Sequence, residues 1–171
     1  MFSMTHRRAF HKTLLVGAMA LSWSAQALEP PKERVVLTVS GKIGVKNAGE
    51  TARFDMKMLA ALPQHSFTTN TPWYERPVKF TGPLLADVLA AVKASGSTVS
   101  AVAINDYSIK IPIGDATEHK VIVAHLLDDK PMPVREKGPL FVVYPFDDSA
   151  ALRTSVYYER SIWQLKALDI R

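Results

Sequence analysis

The sequence predicts an α+β fold, a β-rich mixed sheet with a few packed helices. Three observations lead there. Apolar, β-branched segments outnumber helical ones after residue 96, and they do not alternate with helices as a doubly wound parallel sheet requires. The best helical segment carries a single apolar stripe, which needs a flat surface to cover it. With 47% hydrophobic and 22% charged residues, a chain of 171 residues can build one such core.

Residues 1–27 stand apart from the rest. Arg7, Arg8 and Lys12 precede an apolar run from Leu14 to Trp23, and Ala25-Gln26-Ala27 closes the segment. This is the charge, apolar core and small-residue pattern of a secretory signal, so export to the periplasm with cleavage after Ala27 is expected. The apolar run is about half the ~20 residues that cross a bilayer, so the cleaved protein is not expected to span a membrane. Arg7-Arg8-Ala9-Phe10-His11-Lys12 resembles a twin-arginine export motif, and a general secretory signal with paired arginines stays open beside it. Removing these residues takes away three basic groups and no acidic one, so the formal charge falls from +5 to +2. The remaining charges are interspersed, which leaves no electrostatic footprint for nucleic acid.

Residues 28–34 form a Pro-rich leader, and 35–171 read as one domain. Val35 to Gly41 is a β-branched run closed by glycine, hence a strand. Phe54 to Leu62 holds Asp55 as an N-cap ahead of Met56, Met58, Leu59 and Leu62, with Pro63 as the stop, hence a short helix. A strand follows through Phe67 into a polar, aromatic-tipped loop, FTTNTPWY at 67–74. Thr81-Gly82-Pro83 is read as the opening of the best helix, because proline suits a first helical turn. Its stripe is Leu84, Leu85, Val88, Leu89 and Val92, and Gly96 lies beyond its end. Strands are then expected at 98–104, 107–113, 120–127, 140–144 and 162–170, with Asn105-Asp106 forming a tight hairpin turn.

The sequence lacks the marks of most common chemistries. The absence of cysteine excludes disulfides, thiolate metal sites and thiol nucleophiles. No Gly-rich phosphate loop is present. Ser95-Gly96-Ser97 follows a helix, whereas a nucleophile elbow follows a strand, so it is read as a helix-ending turn. His119 and His125, six residues apart on one expected strand, would sit ~20 Å apart and could not share a metal ion. They are read as surface or rim histidines, and no metal ligand is assigned. Asp128-Asp129 and Asp147-Asp148 are read as turns, since neighbours on a strand face opposite ways.

Several segments, taken in order, resemble the molybdopterin-binding domain of the sulfite-oxidase-like oxidoreductases, in particular its small exported members. They are Leu37-Thr38-Val39-Ser40-Gly41, Thr81-Gly82-Pro83-Leu84-Leu85, Ala103-Ile104-Asn105-Asp106-Tyr107, Pro131-Met132-Pro133, Lys137-Gly138-Pro139-Leu140, Tyr144-Pro145 and Arg160-Ser161-Ile162-Trp163. The likeness runs from about Val35 to Ile170 and implies a sulfite-oxidase molybdopterin-domain-like fold. It also implies molybdopterin as cofactor, with a loop cysteine binding the metal where Thr68 to Trp73 stand here. Without that thiolate, molybdenum is not expected, since threonine and asparagine oxygens are poor substitutes for a soft donor. Where larger members carry a histidine before the Gly-x-Pro and an arginine after it, this chain has Lys137 and Phe141.

The resemblance implies a pocket formed by Asn70, Thr71 and Trp73 from one loop, Asn105, Asp106 and Tyr107 from another, and Arg135, Arg160 and Ser161. Arginines beside a stacking ring suit a flat, anionic ligand. The leading expectation is therefore an exported, accessory or sensing module that binds a small anion, a pterin or a partner such as an inner-membrane sensor protein. A genuine molybdopterin-dependent oxidoreductase with an atypical metal site is the alternative.

Overall fold

The computed structural model describes residues 28–171, so the expected signal segment at 1–27 lies outside the described residues. Among the described residues, eleven strands and four α-helices follow in chain order. The largest sheet has five strands in the order β2-β1-β11-β5-β6. Its centre is the C-terminal β11 (Leu165–Ile170), paired in parallel with β1 (Val35–Gly41), which in turn pairs antiparallel with β2 (Ala52–Asp55). β5 (Thr98–Ala103) and β6 (Ser108–Pro112) complete it as the expected hairpin. Asp106 has φ +68°, a left-handed conformation that aspartate tolerates in tight turns, and the Asn105 side chain accepts the Tyr107 N–H.

A second sheet has the order β3-β4-β8-β9, with β3 at Gln64–Thr69, β4 at Val78–Pro83, β8 at Leu126–Leu127 and β9 at Lys130–Pro131. Asp128 and Asp129 both have positive φ and close the two-residue β8–β9 hairpin, in line with the turn reading. A third, two-stranded sheet pairs β7 (Ile122–Ala124) with β10 (Phe141–Val143) and is buried at every residue. Its side chains join Leu37, Val39, Val99, Leu165 and Leu168 of the five-stranded sheet in one apolar core.

The helix read from Thr81 is corrected here. Residues 78–83 are β4, and α2 runs only from Leu85–Ala91 with Leu84 as its cap. Val78 and Phe80 are buried while Lys79 between them is half-exposed, a strand alternation that the Thr-Gly-Pro turn signal outweighed in the sequence reading. Gly82 makes this possible. A Cβ there would stand 2.1 Å from the Val123 carbonyl oxygen, so only glycine lets β4 approach β7. α1 (Met56–Ala61) starts as expected, with the buried Asp55 carboxylate accepting the Met58 N–H at 2.9 Å. The same carboxylate also accepts the Lys32 and Glu33 N–H groups and so ties the leader to the helix.

Two helices were not foreseen, α3 (Ile113–Glu118) and α4 (Ser155–Arg160). The expected strand at 120–127 is split, because His125 interrupts it between β7 and β8. His125 is buried rather than at the rim, and its Nε2 lies 2.9 Å from the Gln64 side-chain oxygen. His119 is half-buried beside the Tyr157 hydroxyl at 3.3 Å.

Candidate functional site

The loop between β3 and β4 is built from the start of the FTTNTPWY stretch outward. Thr69 is buried, and its hydroxyl accepts the Asp147 N–H at 3.1 Å. The backbone and side-chain amides of Asn70 both donate to the Asp147 carboxylate, at 2.7 and 3.0 Å. These N–H donors favour the ionised carboxyl and hold it below the usual aspartate range, the Asn70 backbone N–H contributing most. The Thr71 hydroxyl accepts the Trp73 N–H at 3.3 Å. Asn70 and Thr71 thus fold the loop that positions Trp73.

The Trp73 indole packs among Phe141, Phe146, Tyr158 and Trp163, with ring centroids 5.4 to 6.1 Å away. A cleft of about 550 Å³ opens beside it. Its walls include Trp73, Tyr107, Tyr158 and Trp163, with Asn105 and Glu159 as polar edges. Three elements meet there. The 70–77 loop brings Trp73, the β5–β6 hairpin brings Asn105 and Tyr107, and α4 with the segment after it brings Tyr158, Glu159, Ser161 and Trp163. Ser161 is buried, and its hydroxyl donates to the Tyr157 carbonyl at 2.9 Å, closing the end of α4.

Of the nine residues singled out from the sequence, the structure brings Trp73, Asn105, Tyr107 and Ser161 to this cleft. Asn70 and Thr71 act from behind Trp73. Asp106 points its carboxylate to Lys166 at 2.6 Å. Arg135 sits on an exposed turn, 3.5 Å from Glu136. Arg160 turns away from the cleft and donates to the buried Asp115 carboxylate at 2.9 Å, with its guanidinium over the Tyr157 ring. The buried Tyr144 hydroxyl donates to the same Asp115 oxygen at 2.7 Å, and burial raises the Tyr144 pKa far above the usual tyrosine value. Lys137 lies 5.3 Å over the Trp163 ring and 5.4 Å over that of Tyr74, and it is not part of the cleft wall.

Tyr158 and Glu159 were not among the site residues expected from the sequence. A signal was present. Ser155, Tyr158, Glu159 and Ile162 recur at i, i+3, i+4 and i+7, the spacing of one helical face, and all four line the cleft.

A five-stranded mixed sheet, two smaller sheets and a ring-walled cleft at the meeting of a loop, a hairpin and a short helix define an α+β domain with an aromatic cleft. Comparison with known proteins narrows this further. The model of the oxidoreductase molybdopterin binding domain matches residues 28–147, and the chain belongs to that family. The crystal structure of the sulfane dehydrogenase SoxCD from Paracoccus pantotrophus shares the fold, with a TM-score of 0.59 at 14% identity. The superposition covers 78% of this chain and 37% of that one, so this protein corresponds to little more than a third of the larger molecule. No curated protein matches the sequence.

The donor set can be tested against a molybdopterin–metal group. The chain has no thiolate to offer, and the loop that would carry it presents Thr69 and Asn70, both already hydrogen-bonded to Asp147. Among the described residues the cleft wall holds no cation for a pterin phosphate, and its one charged side chain is the carboxylate of Glu159. No cluster of three His, Asp or Glu side chains able to hold a metal occurs among the described residues. These residues do not fit a cysteine-ligated, phosphate-anchored molybdenum cofactor.

Proposed function

We propose that this protein is an exported binding module that uses the molybdopterin-domain fold without the metal chemistry, holding a small organic molecule in its aromatic cleft as an accessory to a partner at the inner membrane. The observation that carries this reading is the cleft itself. A site of about 550 Å³, walled by four aromatic rings, is large enough for a small molecule and offers ring contact in place of metal donors. The charge, apolar run and small-residue ending of residues 1–27 support export. The anion expected from Arg135 and Arg160 has no free cation in the cleft wall to receive it, because Arg160 is committed to Asp115 and Arg135 stands elsewhere.

The family match favours a second reading, an oxidoreductase that holds a pterin cofactor through an unfamiliar donor set. Elemental analysis and pterin fluorescence of the protein purified from the exported fraction of its own host separate the two. The binding-module reading expects neither molybdenum nor pterin. Stoichiometric amounts of both would overturn it and establish the oxidoreductase.

A further inference from the structure

The chemistry of the cleft wall narrows the ligand class. Trp73 meets Trp163 at an interplanar angle of 75° and Tyr158 at 82°, with centroids 5.7 and 6.1 Å apart. Near-perpendicular rings make the corner of a box. A flat heterocycle would need parallel faces to be sandwiched, whereas a rounded group can touch several faces of a box at once. Tyr107 adds a further ring at the mouth, 51% exposed, and Trp163 is 39% exposed. Ring faces carry partial negative charge and attract cations, most strongly in tryptophan.

The one charged side chain in the cleft lining is an acid. Glu159 lines the wall and has no ion-pair partner among the described residues. Arg160 is paired with Asp115 and Lys166 with Asp106, while the Lys137 side chain, itself not in the cleft lining, lies over the Trp163 and Tyr74 rings. Lys137 also shows that these rings already accept a cation in this fold.

We infer that the cleft is an aromatic cage for a small organic cation of the quaternary ammonium class, with Trp73, Tyr107, Tyr158 and Trp163 supplying ring faces and Glu159 the countercharge. This rests on the proposed reading of the cleft as a ligand site, and it adds the sign and shape of the ligand.

The test is titration of the exported protein with choline, followed by intrinsic tryptophan fluorescence at matched ionic strength. The comparison probe is the neutral isostere of choline in which carbon replaces the quaternary nitrogen. Choline is expected to give a saturable change, with the isostere binding on the order of tenfold more weakly, the size of one or two desolvated cation–π contacts. Trp163→Leu and Glu159→Gln, both at exposed positions and checked for folding by circular dichroism, are each expected to weaken choline by roughly tenfold. Equal affinity for the isostere, unchanged affinity in both folded variants, or no saturable response up to about 10 mM choline would overturn the inference. If that failure comes with neither molybdenum nor pterin in the protein, the binding-module reading stands and only the ligand class is wrong. If it comes with both present, the two readings fall together.

Discussion

Asp115 carries two donors on one carboxylate oxygen, the Arg160 guanidinium at 2.9 Å and the Tyr144 hydroxyl at 2.7 Å. A buried pair of this kind contributes little net stability when intact, but removing one partner strands the other. Asp115→Ala leaves a largely buried guanidinium and a buried hydroxyl unpaired, and it is expected to cost about 3 kcal/mol in denaturant unfolding. His125 illustrates the opposite case, a titratable group held neutral. Its burial lowers its pKa below the ordinary histidine value, so the unfolded chain takes up a proton first as the solution is acidified. This contribution to stability is fully present above the ordinary value of about 6.5 and is lost progressively as pH falls from there toward the folded-state pKa. The melting temperature is therefore expected to fall between neutral and mildly acidic pH, and His125→Gln should flatten that dependence. An unchanged slope in the variant would remove His125 as its source.

The element that most changed between sequence and structure is β4. Its Thr-Gly-Pro end reads locally as a helix start, yet Gly82 is there for a contact with β7, forty-one residues away along the chain at Val123. Local pattern carries no record of a backbone approach between segments so distant in sequence. Gly82→Ala forces these strands apart and is expected to cost about 1–3 kcal/mol, measured as a shift in the denaturant midpoint at constant slope. α1 is the contrasting element. Asp55, the apolar spacing after it and Pro63 all lie within one short stretch, and the helix begins where they place it. The β5–β6 hairpin was legible for the same reason, since Asn105-Asp106 encodes a turn between two apolar runs. That this turn also edges a cleft was implied by family resemblance and not by turn chemistry. α4 was missed because six residues make a weak periodic signal, and its rings resemble core residues until the cleft beside them is seen.

At the scale of the whole molecule, one core links three sheets, and no described helix is long and apolar enough to cross a membrane. Export predicts a mature chain beginning at Leu28, which intact-mass measurement of the exported protein checks directly. A mass that retains residues 1–27 would overturn cleavage after Ala27. The α+β class, the ordered family motifs and the lack of any thiolate were determined by the sequence alone, because composition and short-range pattern encode them. Which side chains share the cleft was decided only by the tertiary structure. Trp73, Tyr107, Tyr158 and Trp163 come from three separate elements, and Arg160 is withdrawn to a carboxylate forty-five residues earlier in the chain. Residue type sets what a side chain can do, and the long-range packing of the backbone sets which partner it meets.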